Sequence, residues 1–173
     1  MDSWDVSYLK LAEFWASQRS KDPSTKVGAV IVRPDKTMVS TGFNGFPPRC
    51  SDAPELYSDR NYKMATIIHA EENALLTARE PVIGYTIYIS GLPPCAHCAS
   101  LLIRAGIRRV VTFDRPIPER WRENMMFSLF NLISANVSVH LINEENGRIW
   151  PVVLDGQKAA VWEIGHSDTL RYL

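Results

Sequence analysis

Neither sign of charge is in excess in this chain, where 19 Lys and Arg face 19 Asp and Glu. A balanced sequence projects no global field to draw in a polyanion, so no nucleic-acid partner is expected and small substrates are favoured. Cysteine is scarce, at three residues among 173, which argues against a disulfide scaffold. Long apolar runs are missing too. No stretch is long enough to span a bilayer or to form the core of a secretory signal, so a cytoplasmic protein with no membrane partner is expected. Internal repeats and low-complexity segments are absent. What is present, 46% hydrophobic residues over 173 positions, suffices for one ordinary core but not for two large domains. The expectation is a single domain over residues 1–173, with 143–173 an extension of open packing.

Two short motifs carry the chemistry. His69-Ala70-Glu71 opens one apolar helical run and Pro94-Cys95-Ala96-His97-Cys98 opens another, with a strand pattern between them. A bare C-x-x-C is equally a redox pair or half of a structural zinc site. Joined to H-x-E, it matches the signature of zinc-dependent nucleobase deaminases. A catalytic zinc takes three protein ligands and keeps a fourth position for water, and His69, Cys95 and Cys98 supply those three. One Zn²⁺ per subunit is expected. Zinc lowers the pKa of its water toward neutrality, which makes available a nucleophile able to attack C4 of cytosine or C6 of adenine. Glu71 is then the catalytic residue that moves protons to the ring nitrogen and to the departing amine. Both ligand groups should lie at helix N-termini, where free N–H groups favour thiolate. His97, Cys50, His140 and His166 receive no role.

Periodicity organises the rest. Trp4, Tyr8, Leu11, Ala12 and Trp15 predict an opening amphipathic helix ending near Ser20, its aromatic stripe facing a core. Residues 27–32 and 38–43 read as a hairpin turned by Pro34-Asp35, and 44–63 as a long surface loop. Helices are expected over 69–78, 95–105 (closed by Gly106) and 120–134, and strands over 86–90, 109–113 and 137–142. The strand-helix-strand order implies a parallel pair. The tail clusters Ile149-Trp150-Pro151 and Val161-Trp162 should be buried, against this subunit or a partner.

At this point a family resemblance is visible. Asp22-Pro23-Ser24-Thr25-Lys26-Val27-Gly28-Ala29, Gly42-Phe43-Asn44-Gly45-Phe46-Pro47, His69-Ala70-Glu71-Glu72-Asn73-Ala74-Leu75 and Cys95-Ala96-His97-Cys98 with Leu101-Leu102-Ile103-Arg104-Ala105-Gly106-Ile107 resemble the deoxycytidylate (dCMP) deaminases, in family order over about residues 8–142. The resemblance implies an α/β fold, a three-layer α/β/α sandwich around a five-stranded mixed sheet of cytidine deaminase-like type. It also implies zinc-dependent hydrolysis of dCMP to dUMP and ammonia, supplying dUMP for thymidylate synthesis. It assigns His69, Cys95 and Cys98 to the metal, Glu71 to proton transfer, Asn44 to the sugar and the Ala70 N–H to the base. Lys26, in a matched motif, is preferred for the phosphate over Arg49, Arg60, Arg115 and Arg120. Trp121 is assigned to core packing rather than to stacking on the base. Gly42, Phe43 and Gly45 resemble a segment that senses dCTP and dTTP as effectors near subunit interfaces, where glycine permits close approach of a nucleotide. A homo-oligomer is expected, its interface partly buried by the Trp-bearing tail.

The chain departs from the pattern in two places. Glu72 stands where an apolar residue is usual, and Ser90-Gly91-Leu92-Pro93-Pro94 is one residue longer than the usual approach to the first cysteine. The tail past Asn143 matches nothing. Substrates such as dCTP, a modified dCMP, a nucleoside or a free base use the same residues and stay open. A tRNA adenosine deaminase shares the zinc kit but needs a basic face. A purely structural zinc module normally fills the fourth position with Cys or His.

Overall fold

The computed structural model describes residues 3–156, 158–163 and 169–173. Helix α1 (Trp4–Arg19) starts at Ser3, whose hydroxyl accepts the Val6 amide, and ends at Ser20. The strands are β1 (Gly28–Val32), β2 (Met38–Phe43), β3 (Thr86–Ile89), β4 (Arg109–Phe113), β5 (Ser138–Ile142), β6 (Ile149–Asp155), β7 (Lys158–Glu163) and β8 (Thr169–Tyr172). Between them run α2 (Pro54–Ser58), α3 (Arg60–Thr66), α4 (Ala70–Thr77), α5 (Ala96–Ala105) and α6 (Glu119–Ser134).

The strands form one sheet in the order β2-β1-β3-β4-β5-β6-β7-β8. The pairs β3–β4 and β4–β5 are parallel and the others antiparallel. Parallel neighbours need a crossover, and α5 and α6 provide it. Every residue of β1 is buried because helices cover both faces of the sheet. On one face Tyr8, Leu9 and Ala12 of α1 pack with Val30, Val32, Tyr88, Val111, Phe113 and Ile142. On the other, Ala70 and Ala74 of α4, Ala99 and Leu102 of α5 and Leu129 and Leu132 of α6 pack on Ala29, Ile31, Ile87, Ile89 and Val139. The three-layer α/β/α arrangement is therefore present.

Its sheet is larger than expected. The five-stranded mixed unit continues into β6, β7 and β8, so the tail builds three antiparallel strands onto the edge beyond β5. There Val152 and Val161 are buried and Trp150 packs against the core, whereas Ile149 is 38% exposed. The Trp162 side chain and His166 lie outside the described residues. Two further expectations are corrected. Residues 44–63 are not an uninterrupted loop, because α2 and the start of α3 lie within them, begun by Pro54 and by an Asp59 cap on the Tyr62 amide. The aromatic stripe of α1 is only partly core. Trp4 is 58% exposed while Tyr8, Leu9 and Ala12 are buried.

Candidate active site

Helix N-termini bring the metal donors together. His69 is the N-cap of α4 and Cys95 the N-cap of α5, both on the core side of the sheet that carries Ala70 and Ala99. Cys98 follows in the first turn of α5, and its amide approaches the Cys95 thiol at 3.4 Å. The His69 Nδ1 lies 3.5 Å from Cys95 Sγ and 3.4 Å from Cys98 Sγ. For a tetrahedral ion about 2.0–2.3 Å from its N and S donors, each N···S edge comes to about 3.5 Å. These three donor atoms, all within 4.8 Å of one another, fit zinc, and Glu71 is not among them. Glu72 explains its own departure from the family pattern, since its carboxylate accepts the His69 amide at 3.4 Å and completes a capping box.

Electrostatics set how the metal-free donors hold their protons. A hydrogen bond from Cys98, with further help from His69, brings the Cys95 thiol down to about 4. Bonding to Cys95 lifts the His69 imidazole to about 9, against the opposing effect of burial. The same Cys95 partner, together with burial, pushes the Cys98 thiol up. Two of the three donors thus hold protons that a divalent cation must expel, so uptake releases protons and weakens as pH falls. Glu71 is 5% exposed, and burial raises its carboxyl above the usual range, with the His69 imidazole pulling the other way.

His69, Glu71 and Cys95 border a cavity of about 550 Å³ beyond the carboxyl ends of β3 and β4, while Cys98 is buried and does not line it. Part of its wall is apolar, from Met64, Ile67, Leu92, Pro93, Trp121 and Met125. Trp121 therefore lines the cavity and is not a core residue, a correction to its assignment from helical phase. Lys26, Arg60, Lys63, Arg115 and Arg120 also line it, whereas Arg49 does not. Two of these cations are committed. Lys63 bonds to the Asp22 carboxylate at 2.6 Å and to Ser24 Oγ at 3.0 Å, and Arg115 is held by Glu13 and Glu144. Among the described residues Lys26 reaches only the Ser17 carbonyl, at 3.3 Å, and Arg120 lies over the Trp121 ring.

Asp22 organises one rim of the cavity. Its carboxylate accepts the Ser24 and Thr25 amides at 2.9 and 3.1 Å. Burial alone would raise its pKa, but Lys63 and the Ser24 and Thr25 bonds outweigh that and hold it below the usual carboxylate range. The Lys63–Asp22 pair joins positions 41 apart in sequence and was not anticipated, because neither residue belongs to a local pattern. Asn44 is buried beside them. Its Oδ1 accepts from the Val27 amide and the Ser20 hydroxyl at 2.8 and 2.9 Å, and its Nδ2 donates to the Thr25 carbonyl at 2.8 Å. Ala70, at the first helical position of α4, has an amide with no intrahelical acceptor.

Gly42 and Gly45 play different parts. A Cβ on Gly42 would lie 2.1 Å from the Ala70 carbonyl oxygen, so this glycine permits β2 and α4 to meet, a contact that its sequence assignment did not include. Phe43 accepts Asn73 Nδ2 at 2.7 Å across the same seam. Gly45 pairs with Ile68, and a Cβ there would meet the Phe43 ring at an ordinary contact distance of 3.7 Å. His97 is in α5, exposed and 3.6 Å from Glu72, and Cys50 is an exposed free thiol.

Two helix N-termini presenting His and Cys donors beside a buried carboxyl define a zinc-binding deaminase centre. The model of the cytidine and deoxycytidylate deaminase zinc-binding region matches residues 2–114, and the chain belongs to that family. An uncharacterized deaminase encoded in the luxG 3′ region of Aliivibrio fischeri is 36% identical over 141 residues, 80% of this chain and 93% of that protein. The deoxycytidylate deaminase of Mus musculus is 39% identical over 116 residues, covering 62% of this chain and 63% of the mouse protein, so the match spans less than two thirds of that relative. Among solved structures, the dCMP deaminase of cyanophage S-TIM5 in complex with dCMP and dUMP shares the fold. It has a TM-score of 0.59 at 24% identity, with 79% of this chain and 94% of that chain covered.

Proposed function

We propose that this protein hydrolyses dCMP to dUMP and ammonia. The observation that carries the reading is one cavity lined by His69 and Cys95 of the three-donor cluster, by the buried Glu71 and by several basic side chains. Deoxycytidylate deaminases among the relatives support the choice of base and sugar. Zinc held by the three donors would supply a water acidified toward neutral pH. As water's oxygen adds to C4, Glu71 takes the water's proton and passes it to N3 of the cytosine ring, then carries the second proton to the 4-amino group, which leaves as ammonia when the C4–N bond breaks, a role suited to a carboxyl whose pKa burial has raised. The Ala70 amide is a donor for the base and Asn44 a contact for the sugar. Lys26, with Arg60 and Arg120 on two different helices, faces the 5′-phosphate dianion.

Regulation by dCTP and dTTP through Gly42, Phe43 and Gly45 belongs to the same reading. It is supported by the seam with α4, since any shift of this segment is passed to the helix that carries His69 and Glu71. A homo-oligomer is supported by Leu76, Phe127 and Phe130, exposed apolar residues of α4 and α6. No described helix is long and apolar enough to cross a membrane. The test is ammonia release from a panel of dCMP, deoxycytidine, dCTP, cytosine and a tRNA adenosine substrate. The reading expects dCMP to exceed deoxycytidine in kcat/KM by orders of magnitude, because each charge-assisted phosphate contact contributes about 1.5–3 kcal/mol. Equal rates on the two would refute it.

A further inference from the structure

Arg115 borders the cavity, yet it is placed to hold protein rather than substrate. Each of its three guanidinium nitrogens is already engaged. Nη1 donates to the Ser90 carbonyl at 2.8 Å, Nη2 to Glu13 of α1 at 2.8 Å, and Nε to Glu144 in the turn between β5 and β6. The guanidinium also lies over the Phe113 ring, 4.7 Å from its centroid. Two carboxylates offset its single charge, which leaves it a poor anchor for an added dianion. A planar fork with five N–H donors is suited to joining three acceptors in fixed geometry, and lysine is not.

What Arg115 holds is the start of the loop that leads to the first cysteine. Ser90 closes β3, where its amide donates to the Gly28 carbonyl and its hydroxyl accepts the Gly28 amide, both at 2.9 Å. Gly91 is fixed by Thr112 Oγ1 at 2.7 Å. Leu92 and Pro93 then form cavity wall, and Cys95 caps α5. This is the segment one residue longer than the family pattern, and Glu144 lies past the region that the family model matches. The tail thus reaches the active site through one side chain.

We infer that Arg115 is a positioning residue, through which α1 and the turn at Glu144 fix the 90–94 loop, and with it the cavity wall and the approach to Cys95. The inference rests on the deaminase reading. It also makes the tail a part of the catalytic unit.

The experiment compares zinc-loaded full-length wild type with Arg115→Met, Arg115→Lys and a Glu13→Gln/Glu144→Gln double variant. Kinetic constants for dCMP and for deoxycytidine are measured beside amide hydrogen exchange over residues 90–95. A positioning role predicts that Arg115→Met lowers kcat about ten- to a hundredfold, as small misplacements of reacting groups do. The loss should be equal in kcat/KM for the two substrates, leaving their ratio unchanged. Exchange over 90–95 should accelerate, the double variant should move both readouts in the same direction, and Arg115→Lys should fall between wild type and Arg115→Met. A selective rise in KM for dCMP, with deoxycytidine turnover intact, would make Arg115 a phosphate ligand and overturn the inference. A lowered Tm with unchanged kinetics and unchanged exchange would overturn it as well. Were wild type to turn over neither substrate, the functional reading would fail by itself, and the exchange comparison would still decide the role of Arg115.

Discussion

Replacing Glu71 by glutamine separates proton transfer from metal binding more cleanly than any other single change. The side chain keeps its size, and the three metal donors are other residues. Zinc content should therefore equal that of wild type. Positioned proton transfer contributes about 10²–10⁴ in rate, and two features place Glu71 toward the upper end. It is 5% exposed, and among the described residues the only other carboxylate lining the cavity is Asp22. Asp22 is bonded to Lys63 at 2.6 Å and held below the usual carboxylate range, so it is a weak acid-base substitute. The expected loss in kcat is about 10³ or more, which corresponds to about 4 kcal/mol of barrier. Metal analysis beside steady-state ammonia release from dCMP measures both quantities on one sample. A Glu71→Gln protein that keeps a tenth of wild-type activity, or that loses its zinc, would refute the assignment of roles.

Two further outcomes follow from packing and burial. Gly42→Ala places a Cβ 2.1 Å from the Ala70 carbonyl oxygen and 2.4 Å from the Ala74 amide, both backbone atoms that cannot rotate away. It should lower stability by about 1–3 kcal/mol and reduce turnover by displacing α4, and a variant that melts with wild type and turns over normally would contradict the seam. His140 Nδ1 is buried with no hydrogen-bond partner among the described residues, and burial followed by the nearby Arg109 lowers its pKa from the ordinary 6.5. The folded state then binds that proton less readily than the unfolded chain, so stability present above pH 6.5 is lost as pH falls through the depressed value. Thermal melts from pH 7 to pH 5 should show a falling Tm whose slope flattens in His140→Leu, and parallel slopes would contradict the assignment. Asp5 does not confuse this window. Although its burial raises its pKa, bonds to Arg109 and Tyr88 bring the net value below the ordinary 3.8, so its contribution disappears only in stronger acid.

Local chemistry made the centre of the site legible. His69 and Cys95 sit at two helix starts and Cys98 one turn into the second, positions that short-range rules reach. Strands β1 to β5 and helices α1, α4, α5 and α6 announced themselves by period and by punctuation such as Gly106, whose φ of 84° closes α5. Helices α2 and α3 were hidden because they are short and polar, and much of what holds them is distant in sequence, as Lys63 on Asp22 shows. Helical phase put Trp121 on the apolar side of α6 correctly, but phase cannot distinguish an apolar core from an apolar cavity wall. A signal in the tail went unread. Asp155-Gly156, with Gly156 at a φ of 59°, turns β6 into β7 between two apolar runs, which is a strong hairpin cue.

The central claim, that these three donors hold the zinc on which dCMP deamination by this chain depends, is tested most directly by metal reconstitution. Protein stripped by a chelator is titrated with zinc while dUMP formation from dCMP is followed. The account predicts no turnover without metal, a linear rise on addition, and a plateau at one equivalent per chain. Full dUMP formation by the metal-free protein, or none at any zinc loading of a folded sample, would contradict it.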